Sequence, residues 1–263
     1  MTALAVRGVT MRFGGVVALD EVSFDARGGE VLGVMGPNGA GKTTLFNVIS
    51  GVQRPTAGEV LLNGARLSGR PVHEVAARGV TRTFQTPLMF WGLTVRESVA
   101  LALAARDSGT TYPPRPDRSL VASGFGLRAR RAVDARFHDE ADALLAHTKL
   151  ARIGDRGTET LAFGEERILE LVRALALAPA VLLLDEPLSG LNPDEIDDVL
   201  GAVRAARADG ITVLLIEHAV GELLALADRV VVLDHGRTIA QGSAAEVARD
   251  PVVVDAYIGD ALT

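Results

Sequence analysis

The chain has 263 residues, of which 27 are basic and 33 acidic, giving a formal net charge of −6. This length suits one large α/β domain, with or without an inserted subdomain, and the acidic balance argues against nucleic acid as a partner. The absence of cysteine excludes disulfides and thiolate zinc sites. The sequence has no signal-peptide pattern and no apolar run near the ~18 residues that a spanning helix needs, so we expect a cytoplasmic protein.

The first part of the chain is typical of short strands and turns. Residues 4–9 and 17–24 have strand character, and residues 31–35 form an apolar run that fits a buried strand. A glycine-rich loop follows, and then residues 43–50 predict a helix that ends at Gly51. Residues 58–63 predict another strand, which an Asn-Gly turn closes.

The middle of the chain differs in character. Residues 94–105 have helical content, residues 107–118 are rich in Pro, Ser, Thr and Gly, and residues 128–150 predict a charged amphipathic helix. We therefore expect an inserted helical subdomain at residues 88–160.

Strands and helices then alternate to about residue 233. The predicted helices are 165–178, 193–208 and 220–227, and the predicted strands are 181–184, 211–216 and 230–233. This alternation indicates a mainly parallel sheet covered by helices. We assign residues 1–87 and 161–240 to a core with a β subdomain, and residues 241–263 to a C-terminal tail.

The glycine-rich loop carries the strongest motif, G-x-x-x-x-G-K-[ST]. Its backbone N–H groups can converge on phosphate oxygens at the start of a helix. Lys42 would reach the β- and γ-phosphates of a nucleotide, and the Thr43 hydroxyl would bind Mg²⁺. The alternative, an incidental glycine-rich turn, does not explain why a strand, this loop and a helix follow in that order. The motif and its next residue are Gly36, Pro37, Asn38, Gly39, Ala40, Gly41, Lys42, Thr43 and Thr44.

Four further residues are candidates for chemistry. Asp185 and Glu186 end an apolar strand, where Asp185 would hold Mg²⁺ and Glu186 would polarise an attacking water. His218 follows the next strand and could contact a γ-phosphate or a water. Gln85 could contact Mg²⁺ or that water and so sense the nucleotide. Taken singly, such residues are more often a strand end that meets solvent, a structural histidine or a polar side chain at the surface. The phosphate loop upstream favours the catalytic interpretation.

The order of these motifs resembles the nucleotide-binding subunit of an ATP-binding-cassette (ABC) transporter, over nearly the whole chain. In this resemblance, residues 36–44 match the Walker A loop, Gln85 the Q-loop, residues 181–185 Walker B, Glu186 the catalytic glutamate and His218 the switch histidine. Residues 189–192 match the D-loop, and Phe13 is the candidate for stacking on adenine. The signature segment, which binds nucleotide across a dimer, falls on Leu161, Ala162, Phe163, Gly164 and Glu165.

The resemblance implies a P-loop ATPase fold, ATP and Mg²⁺ as ligands, and a head-to-tail dimer with an identical or paralogous ATPase. It also implies two integral-membrane permease subunits, a periplasmic binding protein acting indirectly, and a peripheral position at the cytoplasmic face of the inner membrane. Residues 82–85, 216–218 and 250–259 further resemble the larger ATPase of branched-chain amino-acid importers. Importers of urea, amides or aromatic acids share these features. Two further alternatives are a soluble non-transport ABC ATPase and a nucleotide-binding regulator that barely hydrolyses, and Glu186 argues against the regulator.

Several residues depart from the family pattern. Ala162 stands for the signature Ser, Phe163 for a Gly and Glu165 for a Gln, while Asn192 stands for the usual D-loop Asp. The alanine removes a hydroxyl contact to the γ-phosphate, and Asn192 leaves the cross-dimer role of that position open. An aromatic pair, Phe90 and Trp91, follows the Q-loop; it could belong to the core of the subdomain or line a groove for a permease helix.

Overall fold

The computed structural model describes residues 2–83, 89–107, 135–146 and 148–260, with only the backbone given for residues 135, 136 and 257–260. Gln85, most of the predicted loop at 107–118 and the start of the predicted helix at 128–150 lie outside this description. None of the helices within the described ranges combines the length and apolar character needed to cross a membrane.

The N-terminal sheet is antiparallel. Its strands are β1 (Thr2–Phe13), β2 (Val16–Arg27), β4 (Ala57–Leu62) and β5 (Ala65–Arg66). They lie in the order β2-β1-β4-β5. The pairing runs from Thr2 opposite Arg27 to Phe13 opposite Val16, so a tight turn at residues 14–15 joins β1 to β2.

The central sheet is mostly parallel. It contains β3 (Val31–Met35), β6 (Val80–Arg82), β7 (Val181–Asp185), β8 (Thr212–Ile216), β9 (Arg229–Asp234) and β10 (Arg237–Ser243). The described strands lie in the order β10-β9-β3-β8-β7-β6, and only β10 is antiparallel to its neighbour. Every residue of β3, β7 and β8 is buried, because helices and the N-terminal sheet cover both faces.

Helices fill the space around this sheet. They are α1 (Lys42–Ile49), α2 (Val72–Ala77), α3 (Val95–Asp107), α4 (Ala135–Leu145), α5 (Phe163–Ala176), α6 (Pro193–Ala208), α7 (Val220–Leu226), α8 (Ala244–Val247) and α9 (Pro251–Asp260). Short 3-10 turns lie at Lys149–Ile153 and Thr158–Thr160. Helices α3 and α4 pack on each other and on α5, so the inserted segment is joined to the core mainly through α5.

Two hydrophobic clusters lie on opposite faces of the central sheet. In β7, Leu182 and Leu184 belong to the cluster formed with α3, α4, α5 and α6. Val181 and Leu183 belong to the cluster formed with α1 and the N-terminal sheet. This alternation follows from the two-residue period of a strand. The predicted class is confirmed: an α/β core carries an antiparallel β subdomain and an inserted helical segment.

The predicted helix at 128–150 is wrong at its C-terminal end. Helix α4 ends at Leu145, and a 3-10 turn begins at Lys149. The Thr148 hydroxyl donates to the Leu145 carbonyl at 2.9 Å and accepts the Leu150 N–H at 3.2 Å. The hydroxyl thus pairs the Leu145 carbonyl and the Leu150 N–H, which a continuous helix would pair with other backbone groups. These two bonds end α4 and start the 3-10 turn.

Candidate functional site

The loop between β3 and α1 is shaped by three glycines with positive φ. Gly36, Gly39 and Gly41 have φ of 148°, 79° and 100°. A Cβ on Gly36 would lie 2.1 Å from the Leu233 carbonyl oxygen, and one on Gly41 would lie 2.5 Å from the Ala18 carbonyl oxygen. Neither position can accept a side chain, so the loop lies tightly against its surroundings and leads directly into α1.

The start of α1 suits an anion. Its first turn contains no acidic residue, so no carboxylate from that turn opposes the attraction of an anion to the N–H groups and the positive end of the helix dipole. Lys42 is buried, and its Nζ donates to the carbonyls of Gly36 at 2.6 Å and Pro37 at 2.9 Å. The ammonium therefore lies over the loop, while the Thr43 side chain next to it is exposed.

The sheet brings this loop to the same edge as the predicted acids and histidine. Asp185, the last residue of β7, pairs with Ile216 at the end of β8, and Ile216 pairs with Val34 of β3. The phosphate loop, Glu186 and His218 each begin within two residues of these positions. Parallel strands thus place all three segments at their common carboxyl edge, which is where open α/β sheets bind ligands.

Asp185 is the candidate cation ligand, and its surroundings fit that role. The residue is 1% exposed. Its Oδ2 accepts a hydrogen bond from Arg82 at 2.8 Å, while Oδ1 is buried without a hydrogen-bond partner among the described residues. A buried carboxylate oxygen with free acceptor capacity is a suitable ligand for Mg²⁺, which prefers oxygen donors. Thr43 supplies a hydroxyl oxygen on the neighbouring helix.

Glu186 has an unusual backbone conformation. Its φ is 51°, a left-handed value that is uncommon for a residue with a Cβ. Its N–H donates to the Ile216 carbonyl at 2.9 Å, which fixes the turn out of β7. The carboxylate Oε1 then lies 2.9 Å from Nε2 of His218. The strained turn therefore aims Glu186 across the sheet edge at the histidine, and such strain is frequent at active sites.

The predicted signature segment, residues 161–165, forms the start of α5. Ala162 N–H donates to Glu165 Oε2 at 2.8 Å, so the glutamate closes the first turn of the helix. Gly164 is buried, and a Cβ there would lie 2.1 Å from the carboxyl carbon of Glu195 on α6. Phe163 is 48% exposed. The segment thus contacts the start of α6 through Gly164 and pairs with Arg156 through Glu165, while Phe163 remains half exposed.

Two other predicted residues stand apart. Phe13 ends β1 and is 45% exposed, so part of its side chain is accessible to a ligand. Gln85 lies outside the described residues. The residue before that gap, Thr83, is buried and donates its N–H to the Leu183 carbonyl at 3.1 Å, so the chain leaves β6 beside β7.

The structure also places two residues at the site for which the sequence predicted no role. Arg82 lies beside Asp185 because β6 and β7 are neighbours, and Asn47 of α1 accepts a second bond from its guanidinium at 2.6 Å. Buried Glu217 accepts N–H donors from Leu188 at 2.7 Å and His218 at 3.2 Å. The contacts of Arg82 with Asp185 and of Glu217 with Leu188 join segments that are distant in sequence, so no local pattern signals them.

Comparison with known proteins agrees with this geometry. Residues 19–189 match the family model described as ABC transporter, and residues 237–262 match that of the branched-chain amino acid ATP-binding cassette transporter. The chain is 36% identical over 259 residues, 98% of each chain, to the high-affinity branched-chain amino acid transport ATP-binding protein BraF of Pseudomonas aeruginosa. It is 32% identical over 244 residues, 93% of this chain and 91% of the other, to the lipopolysaccharide export system ATP-binding protein LptB of Acidithiobacillus ferridurans.

Solved structures share the fold. A nucleotide-free ATP-binding cassette from an ABC transporter matches with a TM-score of 0.83 and 31% identity, over 98% of this chain and all of the other. The ADP conformation of an ATP-binding cassette of an ABC transporter matches with a TM-score of 0.82 at 31% identity, over 98% of this chain and 99% of the other. The chain therefore belongs to the ABC transporter family, as an ATP-binding cassette whose ATPase activity is coupled to transport.

Proposed function

We propose that this chain is the ATP-hydrolysing subunit of an importer for branched-chain or related amino acids. One observation carries the catalytic part: the phosphate loop, Asp185 and the Glu186–His218 pair share one edge of the central sheet. The cargo is supported by the match of residues 237–262 to the branched-chain family model and by the similarity to BraF. The similarity to an export subunit means that the ATPase core alone does not define the cargo.

In this proposal, the loop at residues 36–44 holds the phosphates of ATP, with Lys42 turning from its loop carbonyls to the β- and γ-phosphate oxygens. Thr43, Asp185 and Gln85 would hold Mg²⁺, which neutralises charge on the phosphates when it is bound. Phe13 stacks on the adenine ring. The buried, unpartnered Oδ1 of Asp185 supports its share of this role.

Glu186 is the candidate general base. A carboxylate placed beside the γ-phosphate can orient a water and accept its proton as the water attacks. His218, 2.9 Å from Glu186, holds the carboxylate in place and can donate to the γ-phosphate from the imidazole. The left-handed turn at Glu186 supports this role, because it fixes the direction of the side chain before the nucleotide binds.

The partners are part of the proposal. A second ATPase subunit, identical or paralogous, would pack head to tail, so that residues 161–165 of one chain face the nucleotide of the other. The exposed start of α5, where Phe163 lies at the surface, supports such an interface. Two integral-membrane permease subunits would bind at the cytoplasmic face of the inner membrane, and a periplasmic binding protein would deliver the cargo.

Substitution of the candidate base tests the proposal. We expect Glu186→Gln to lower ATP turnover by at least about 100-fold, because general base catalysis contributes that much or more. ATP affinity is expected to stay near the wild-type value, since the amide keeps the size and shape of the side chain. Steady-state phosphate release and equilibrium binding of a fluorescent ATP analogue measure the two quantities.

The matched control is Asp139→Asn, the same acid-to-amide change at an exposed position on α4. Its turnover is expected to equal that of the wild type. If Glu186→Gln retained wild-type turnover, the assignment of the base would be withdrawn.

A further inference from the structure

The Asp185 carboxylate has a fixed cationic neighbour. The guanidinium of Arg82 lies 2.8 Å from Oδ2, and the two side chains are only 10% and 1% exposed. A second guanidinium nitrogen donates to Asn47 Oδ1 at 2.6 Å. Arg82 is therefore held by α1 on one side and by β7 on the other, within a hydrogen-bonded arrangement that leaves it little freedom.

Burial makes this pair important for the charge of the site. A carboxylate removed from water needs a compensating cation or strong hydrogen-bond donors. In the described part of the chain, the hydrogen bond recorded to the Asp185 side chain comes from Arg82, and Oδ1 accepts none. Arg82 thus compensates most of the charge that this aspartate brings into the sheet edge.

A divalent cation at Oδ1 would share the same carboxylate with the guanidinium at Oδ2. The two cations would compete for one negative charge and would also repel each other at close range in a medium of low dielectric constant. Both effects weaken the binding of the divalent cation. Removing the guanidinium must therefore strengthen the interaction of the carboxylate with the cation.

We propose that Arg82 is a positioning residue that neutralises Asp185 while no divalent cation is bound, and that Mg²⁺ binding weakens this ion pair. The inference rests on the proposed role of Asp185 as a magnesium ligand. Arg82 is the last residue of β6 and lies three positions before Gln85. The pair consequently links the charge at the cation site to the strand that leads into the predicted Q-loop.

The experiment measures the stabilisation that Mg²⁺ adds to the ADP-bound protein. Thermal unfolding is recorded with saturating ADP in either EDTA or excess Mg²⁺, and the difference between the two midpoints is the magnesium increment. We expect Arg82→Gln to lower the midpoint in EDTA by several degrees and to at least double the increment. Arg82→Lys keeps a charge but loses the planar fork, so its increment should lie between the two.

Arg229→Gln is the matched control. Arg229 forms a comparable ion pair with buried Glu30, with 3.1 Å between the nitrogen and the oxygen. Arg229 is the first residue of β9, so this pair lies at the amino edge of the sheet, opposite the carboxyl edge that holds Asp185. Its loss should lower the midpoint in EDTA and in Mg²⁺ by the same amount, leaving the increment unchanged. A second control, Asp185→Asn, should reduce the increment, and adding Arg82→Gln to it should have no further effect on the increment.

The outcomes distinguish a failure of the proposed magnesium ligand, Asp185, from a failure of the proposed competition between Arg82 and Mg²⁺. An increment in the wild-type protein that Asp185→Asn leaves unchanged would contradict the proposed magnesium ligand itself. Suppose instead that Asp185→Asn reduces the increment. If the increment of Arg82→Gln is then equal to or smaller than that of the wild type, the competition between Arg82 and Mg²⁺ is overturned. If Arg82→Gln does not fold, Arg82→Lys decides the question, and an increment no larger than that of the wild type would again overturn it.

Discussion

Glu217 joins two segments of the site although it is not one of the predicted catalytic residues. Its buried carboxylate accepts the backbone N–H of Leu188, which follows Glu186 in the chain, and the N–H of His218. Burial raises the pKa of Glu217, and the nearby charge of Glu186 adds to this effect, while backbone hydrogen bonds from Leu188, His218 and Ala219 oppose it. Glu217 therefore holds the loop that carries the candidate base and the loop that carries the histidine in a fixed position relative to each other.

The raised pKa of Glu217 predicts a specific pH dependence of stability. Between the unfolded-state pKa, about 4.3, and the raised folded-state pKa, the folded protein binds the proton more tightly than the unfolded chain does. The stabilisation from Glu217 is thus complete below the unfolded pKa and is lost as the pH rises through the folded pKa. The quantity to measure is the free energy of unfolding of the wild type minus that of Glu217→Gln. We expect this difference to fall as the pH rises through that window, as measured by urea unfolding at a series of pH values.

Glu246 provides a control of opposite sign. Hydrogen bonds from Ser243 to its exposed carboxylate lower the pKa of Glu246, so its contribution is present above the unfolded pKa and is lost as the pH falls through the folded value. The difference between wild type and Glu246→Gln should therefore rise with pH. A wild-type minus Glu217→Gln difference that does not change with pH would contradict the prediction.

The limits of sequence reasoning at this scale are clear from particular side chains. The phosphate loop, Asp185, Glu186 and His218 were predictable because a local motif or a strand end marks each of them; their roles stay predictions. Arg82 meets a partner 103 positions away, and Glu217 meets Leu188 across 29 positions. Finding them requires the strand order β8-β7-β6, which no local pattern provides.

At the scale of elements, the contact between α5 and α6 positions the signature segment. Glu195 Oε2 accepts the Asn192 N–H at 3.1 Å, and Asn192 Oδ1 accepts the Glu195 N–H at 3.1 Å, which caps α6. Lys149 binds the same glutamate at 2.8 Å, and this pairing holds the pKa of Glu195 below its ordinary value. Gly164 packs directly on that carboxylate. The asparagine at the D-loop position therefore has a structural task within its own chain.

This contact predicts that Gly164→Ala is destabilising. A Cβ would lie 2.1 Å from the Glu195 carboxyl carbon, so the carboxylate would have to leave both its cap and Lys149. We expect the free energy of unfolding to fall by about 1–3 kcal/mol, as is common for overpacking. In a Glu195→Ala background the cost should be less than half as large, and chemical denaturation of the four proteins measures the coupling.

Gly201→Ala is the matched control on α6. A Cβ at Gly201 meets nothing within 4 Å, so the substitution should stabilise the helix by up to about 1 kcal/mol. Equal effects of the two glycine substitutions would refute the proposed contact.

The elements themselves were mostly predictable. Strands β3, β7 and β8 are apolar runs, and α6 has a capping asparagine followed by proline, so its predicted span of 193–208 matches the structure. Strand β10 was not predicted, because its sequence of Arg, Thr, Ile, Ala, Gln, Gly and Ser does not alternate regularly between apolar and polar residues. It forms by pairing with β9, and it runs through residue 240, where we placed the end of the core.

At the scale of the whole molecule, one surface feature lies outside both hydrophobic clusters. Trp91 is 82% exposed. Its neighbour Phe90 is half-buried, with the Arg173 guanidinium 4.4 Å from the ring centre and its carbonyl bonded by Thr158 at 2.8 Å. The two aromatic residues thus separate: Phe90 belongs to the contact with α5, and Trp91 is available to a partner.

From this exposure we propose that a permease helix docks at Trp91. We expect Trp91→Ala to abolish most ATP-driven transport in reconstituted vesicles, because aromatic anchors contribute strongly to interfaces. The basal ATPase activity of the isolated subunit should be unchanged, since an indole that is 82% exposed packs little within the subunit. Val72→Ala, which trims another exposed apolar side chain on α2, serves as the control. Transport at the wild-type rate by Trp91→Ala would refute the docking proposal.

The exposure of Trp91 also determines what intrinsic fluorescence can report about this protein. The chain has one Trp, and its indole is largely solvated while the protein is folded. Its emission should therefore resemble that of indole in water before and after unfolding, which makes intrinsic fluorescence a poor probe of folding. For the same reason, a shift of that emission to shorter wavelength would report that another molecule has covered this one surface.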